Sequence, residues 1–132
     1  NMDLKQVWFA GAHADIGGSY KPDAGGFVMS DNSLGWMIKE AEDAGLTMEE
    51  HLKESIKESP LAKIHNSRRS FYRVKEKHYR TIDHGCGPVI IHDSVKQRWD
   101  RDPKYRPENL VRAGSDPDKL LFLQKILPES GG

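Results

Sequence analysis

The sequence contains one clear β-strand pattern, near its start, and this strand limits the folds that the chain can adopt. Leu4 to Phe9 is a short apolar run that stops at Ala10-Gly11, as expected of a buried strand. A strand without a neighbour leaves its backbone N–H and C=O groups unpaired, so it does not fold alone. The sequence therefore predicts an α/β fold in which residues 1–132 form the C-terminal part of a larger domain.

The segment that follows, residues 12–31, predicts a long loop rather than a helix. It contains Gly17-Gly18 and Gly25-Gly26, and glycine interrupts regular elements. Loops of this length without secondary structure are uncommon unless they carry function. We therefore expect the functional part of the chain in residues 1–31, and a mostly helical remainder in residues 32–132.

Two helices are predicted directly after the loop. Asp31 or Asn32 caps the first helix, in which apolar residues recur at helical spacing until Gly45 stops it. A capping box at Thr47 begins a second, amphipathic helix, which ends at Ser59-Pro60. The apolar residues predicted to line the first helix are Leu34, Met37, Ile38 and Ala41.

The second half of the chain gives weaker signals. Val89 to Ile91 fits either a short strand or an extended segment. A short helix capped within Asp93-Ser94 is expected to end at Asp102-Pro103, and Pro107 to Leu110 is expected to be extended. The last predicted helix is Lys119 to Leu127.

The composition excludes several classes of function. Lys plus Arg equals Asp plus Glu at 20 each, so a net charge of +0 gives no field that attracts nucleic acid. The mean hydropathy is -0.72, and the sequence has no run of ~18 apolar residues, so no transmembrane helix is predicted. Cys86 is the single cysteine, which excludes an internal disulfide, and the first residues lack the pattern of a secretory signal. We expect synthesis in the cytoplasm, while export without a cleaved signal stays open.

His13 is the strongest candidate for chemistry. It follows the predicted strand and precedes a glycine pair, where open α/β sheets carry ligands and catalytic groups. Its imidazole suits a general base near neutral pH. On spacing alone, the alternative of a loop histidine satisfied by a backbone carbonyl stays open. The other histidines and Cys86 show no metal-ligand spacing, so we expect no metal and no cofactor.

The residues around His13 form a longer pattern, a strand ending in Trp-Phe followed by Gly-x-His-x-Asp-(Val/Ile)-Gly-Gly. The matching residues are Trp8, Phe9, Gly11, His13, Asp15, Ile16, Gly17 and Gly18. This pattern resembles a signature of the α/β-hydrolase family that includes phospholipase effectors of bacterial type VI secretion and related uncharacterised hydrolases. Leu34 to Ala41, Ile91 to Arg98 and Tyr105 to Leu110 are similar to further segments of that family.

The resemblance implies a serine ester hydrolase of the lipase or phospholipase type, with a triad in the order Ser, Asp, His. His13 is then the catalytic histidine, which takes a proton from the serine and gives it to the leaving alcohol. Because the triad acid of this class lies on an earlier strand, Asp15 is expected to organise the loop by accepting backbone N–H bonds. Gly17 and Gly18 are expected to permit backbone conformations closed to other residues.

The 132 residues contain no G-x-S-x-G nucleophile elbow. We therefore expect the nucleophile and the triad acid upstream of Asn1, and no ester hydrolysis by residues 1–132 alone. The expected partners are that upstream hydrolase segment and a lipid or ester substrate at a membrane surface, with no nucleic acid. The alternative is a non-catalytic binding or assembly module left by truncation.

Overall fold

The computed structural model describes residues 4–66, 80–82 and 89–115. These residues fall into two compact units. We call residues 9–66 the helical unit, and the remaining described residues, beginning with 4–8, the sheet unit. The helix predicted over the last part of the chain lies outside the described residues.

The helical unit contains three helices. They are α1, His13–Gly17, α2, Ser30–Asp43, and α3, Glu50–Glu54. The prediction of α2 is confirmed, together with its stop at Gly45, but the predicted cap at Asp31 or Asn32 is wrong, because the helix begins at Ser30 with Met29 as its N-cap. At Gly45 the backbone φ is +99°, and the N–H groups of Gly45 and Leu46 donate to the last carbonyls of the helix.

Helix α1 corrects the prediction that residues 12–31 form a loop without a helix. The Ala12 carbonyl accepts hydrogen bonds from the N–H groups of Asp15 and Ile16, at 2.9 and 3.1 Å. The two glycines that argued against a helix stand at its end, where a helix tolerates them, and not in its interior.

Helix α3 is shorter than predicted, and it buries no side chain. Without a buried face, a short helix has little besides intrinsic propensity to stabilise it. The chain leaves the helix through i→i+3 hydrogen bonds, in which Ser55 and Ile56 donate to the carbonyls of Leu52 and Lys53. The predicted extension to Ser59 is therefore wrong. The predicted start at a Thr47 capping box is wrong as well, because the N-cap is Glu49 and no side chain caps the helix.

The face that α2 buries also differs from the predicted apolar stripe. Ile38 is buried, but Leu34 and Met37 are 46% and 55% exposed. Met29 and Asn32 are buried in their place. The buried face differs because residues 57–65, which we call the strap, lie against the start of α2.

The strap is held against the start of α2 by side-chain hydrogen bonds to its backbone. The Asn32 amide donates to the Ser59 carbonyl at 2.8 Å, and the Asp31 carboxylate accepts the Lys57 N–H at 2.9 Å. Because these two bonds require polar residues, the buried surface of α2 cannot be found from apolar spacing alone.

The sheet unit contains a two-stranded parallel sheet, β1, Gln6–Trp8, and β2, Val89–Ile91. The His92 N–H extends the ladder by donating to the Trp8 carbonyl at 3.0 Å. The first strand is confirmed, with shorter bounds than predicted. The expectation that it has no partner within the chain is wrong, because the β-branched residues of β2 supply one.

The first strand was expected to be buried, but Gln6 is exposed and Val7 and Trp8 are only half-buried. Ile91 on the partner strand is 2% exposed. In the described part of the chain, β2 is the one strand paired with β1. A sheet of two strands leaves much of each strand exposed to solvent.

Two helices complete the sheet unit, α4, Asp93–Arg101, and α5, Glu108–Ser115. The prediction of α4 is confirmed, although His92 rather than Asp93 or Ser94 is its N-cap. The prediction that Pro107 to Leu110 is extended is wrong. The Pro107 carbonyl starts α5 by accepting two N–H bonds, and burial of Leu110 and Ala113 holds the helix in place. No helix in the described ranges is long and apolar enough to cross a membrane.

Candidate functional site

Asp15 is the centre of the hydrogen-bond network that follows β1. Its side chain is 1% exposed. The carboxylate accepts the Ala12 N–H at 3.0 Å, the His65 N–H at 3.2 Å and the His65 ring Nδ1–H at 2.9 Å. A buried carboxylate needs several donors to replace the water it has lost, and these three N–H groups supply them.

The His65 ring lies between Asp15 and Tyr20. Its Nδ1 faces the carboxylate, and its plane stacks on the Tyr20 ring with centroids 3.7 Å apart and planes inclined by 13°. Since a carboxylate only accepts hydrogen bonds, Nδ1 is the donor in this contact. Sequence reasoning missed the role of His65, because 50 residues separate it from Asp15 and no periodicity relates the two.

Gly11 is fitted closely against Asp15. Its φ is +110°, and a Cβ at this position would lie 2.6 Å from the Cβ of Asp15. Glycine alone satisfies both conditions, since a side chain disfavours this φ and real Cβ atoms do not approach that closely. This requirement was not predicted, although Gly11 is part of the sequence pattern.

Gly17 and Gly18 were both expected to adopt backbone conformations closed to other residues, but only Gly18 does so. Gly18 has φ +87° and ψ 165°, a combination that is essentially restricted to glycine. Gly17 is the last residue of α1, its φ is not positive, and a Cβ there would meet nothing within 4 Å.

Helix α1 is also tied to α2. The Ser33 hydroxyl lies 2.6 Å from the Ile16 carbonyl, to which it donates, and 3.0 Å from the Ser30 carbonyl. The bond to Ile16 satisfies a carbonyl that the short helix leaves without an intrahelical partner. The segment around His13 is therefore held at both ends of α1, by Asp15 at the start and by Ser33 at the end.

His13 is the first residue of α1, five positions after the end of β1, and it is exposed. Among the described residues, no side chain or backbone group forms a hydrogen bond with its imidazole. The Asp15 carboxylate, two positions along, is bound to His65 instead. The structure therefore places the two candidates of the sequence pattern in different environments, a buried carboxylate and an exposed imidazole.

A second carboxylate, Asp23, organises the rest of the loop. It accepts the N–H groups of Gly25 and Phe27 at 2.9 and 3.0 Å, and the Lys63 N–H of the strap at 3.2 Å. These bonds, of which the one from Phe27 is the strongest cause, lower the pKa of Asp23 from its ordinary value of 3.8. Asp23 and Asp15 thus accept the backbone N–H groups of residues 63 and 65 of the strap.

Nothing in the described residues groups three or more His, Cys, Asp or Glu side chains as a metal site.

Comparison with protein families gives a match for the start of the chain. Residues 1–40 match the family model described as T6SS, Phospholipase effector Tle1-like, catalytic domain. The matched segment contains β1, α1 and most of α2, and therefore His13 and Asp15, but not His65 or the rest of the strap. It supports the resemblance to type VI secretion phospholipase effectors. Comparison with curated proteins and with solved structures finds no match.

Proposed function

We propose that this chain supplies the catalytic histidine, His13, to a serine ester hydrolase of the phospholipase type. The match of residues 1–40 to a phospholipase effector catalytic domain carries the proposal, because this segment contains His13 and the loop that holds it. The fold we propose is the C-terminal part of an α/β-hydrolase domain. The parallel pairing of β1 and β2 supports it, since parallel strands are typical of α/β folds.

The environment of Asp15 supports the choice of His13 for the chemistry. The Asp15 carboxylate is buried and bound by three N–H groups, so it is occupied in holding the loop. His13 is exposed at the start of α1. An exposed imidazole on a firmly held backbone is suited to accept and return a proton at a bound substrate.

The reaction we propose is acyl transfer through a serine of polypeptide outside residues 1–132. His13 takes the serine proton as the serine oxygen attacks the ester carbonyl, which forms a tetrahedral oxyanion. Collapse of this intermediate releases the alcohol, which receives the proton from His13. Water then attacks the acyl-enzyme, His13 accepts its proton, and the acid product leaves as the serine is restored. The triad acid also lies outside the chain, and the substrate is a lipid ester at a membrane surface.

The test compares ester hydrolysis by the natural full-length polypeptide and by residues 1–132 alone, on phospholipid vesicles and on short p-nitrophenyl esters. We expect activity in the full-length polypeptide only, and a loss of kcat of about 10²–10⁴-fold in His13→Ala. The matched control is His51→Ala, because His51 is an exposed helix histidine whose ring contacts only a surface glutamate among the described residues. Unchanged hydrolysis in His13→Ala, or hydrolysis by residues 1–132 alone, would contradict the proposal.

A further inference from the structure

His65 contacts the chain at two points around α1, the helix that begins with His13. Its ring Nδ1 contacts Asp15 within the helix, and its face stacks on Tyr20, which follows the helix. The imidazole is enclosed by these contacts, with 21% of its side chain exposed. A residue with both partners restricts the movement of Asp15 relative to Tyr20.

The contact with Asp15 is connected to His13 through the backbone. The same carboxylate that accepts the His65 Nδ1–H accepts the Ala12 N–H, directly before His13. The Asp15 N–H in turn donates to the Ala12 carbonyl at 2.9 Å. Ala12 is therefore held at both its N–H and its C=O, so the Asp15 side chain is coupled to the backbone directly before His13.

We propose that His65 is a positioning residue for the reaction proposed above, on which this inference rests. Through Asp15, the His65 ring fixes the backbone at Ala12 and thereby the direction of the His13 imidazole. The ring has no contact with substrate or reacting atoms in this role. Its contribution is separable from that of the strap, because the backbone N–H of residue 65 remains bonded to Asp15 whatever the side chain.

Two substitutions of His65 in the natural full-length polypeptide separate the hydrogen bond from the bulk of the ring. In His65→Asn the amide nitrogen stands where Nδ1 stands and donates to Asp15. In His65→Gln the amide lies one bond farther out and does not reach it in the same way. Rates are expressed per reactive serine, counted by titration with a fluorophosphonate, so that a loss of folded protein does not appear as a loss of kcat.

We expect His65→Gln to lower kcat by about 10-fold or more with KM for a p-nitrophenyl ester changed less than about 2-fold, because misplacement of a catalytic group affects the chemical step rather than binding. We expect His65→Asn to keep kcat within about 3-fold of the unsubstituted protein, since it restores the donor to Asp15. This rescue is the signature that a merely structural role does not produce.

Two results would overturn the positioning role. Full kcat per reactive serine in both variants would show that the Nδ1 contact has no effect on the reaction. An equal loss in both would show that the ring itself, rather than its bond to Asp15, is required. His13→Ala in parallel distinguishes the two proposals. Activity retained in His13→Ala overturns both, whereas activity lost in His13→Ala and retained in His65→Gln overturns only the positioning role.

Discussion

Polar side chains, more than apolar ones, determine the path of the chain around the candidate site. Asp15 and Asp23 accept the N–H groups of His65 and Lys63, while Asn32 donates to the carbonyl of Ser59. In the described part of the helical unit the strap has no ladder partner, so these side chains satisfy backbone groups that a sheet would otherwise pair.

We expect Gly11→Ala to destabilise the protein by more than about 1 kcal/mol, because alanine is strained at this φ and its Cβ collides with Asp15. The collision also displaces the Asp15 carboxylate, so hydrolysis falls together with stability. The measurement is the free energy of unfolding in urea, combined with kcat for an ester.

The matched control is Gly17→Ala, the same substitution within the same sequence pattern. Gly17 ends α1 with an ordinary φ and open space around its Cα. We expect its free energy of unfolding to change by less than about 0.5 kcal/mol. Equal effects of the two substitutions would contradict the account given for Gly11.

At the scale of elements, the predictions succeeded where local signals agree. Helix α2 has an apolar period and a glycine stop, and both are readable from neighbouring residues. Helix α1 is not predicted from composition, because glycine disfavours the interior of a helix but is tolerated at its end, where Gly17 and Gly18 stand. Helix α5 was missed because Pro107 also suits the residue before a helix.

The segment between α4 and α5 contains a half-buried tyrosine, Tyr105, that gives a prediction for alkaline pH. Burial raises the pKa of Tyr105 to about 12, and the cation of Arg98, 5.3 Å from the ring centroid, opposes this only in part. The unfolded phenol ionises near 10.0, so the native state loses stability as the pH rises from about 10 to about 12.

An ultraviolet titration of phenolate absorbance tests this point. Subtracting the absorbance curve of Tyr105→Phe from that of the unsubstituted protein leaves the titration of the Tyr105 phenol alone. We expect this phenol to ionise about two pH units above an ordinary tyrosine. The free energy of unfolding of Tyr105→Phe is also expected to fall less between pH 9 and 11. A difference curve centred near pH 10 would contradict the burial of this side chain.

At the scale of the whole molecule, what the sequence could not predict are the contacts between distant segments. Asp15 and His65 are 50 residues apart, and the pairing of β1 with β2 joins residues more than 80 positions apart. Neither contact has a local signature, because each depends on the path of all the residues between. The sequence pattern identified His13 and Asp15, but not the residue that holds Asp15.

The exposed apolar side chains of the helical unit are compatible with the alternative function, a binding or assembly module. Those on its helices are Leu34, Met37 and Leu52. Such a surface is expected both of a module that engages a partner and of a segment covered by the rest of a hydrolase domain. The two alternatives differ in whether His13 takes part in chemistry.

The most direct measurement is the rate at which a fluorophosphonate labels the natural full-length polypeptide, since labelling depends on deprotonation of the serine and not on release of product. We predict equal rates for the unsubstituted protein and His51→Ala, and a rate lower by about 10²-fold or more for His13→Ala. Labelling of His13→Ala at the unsubstituted rate, or no labelling of the unsubstituted protein, would contradict the assignment of His13 as the catalytic histidine.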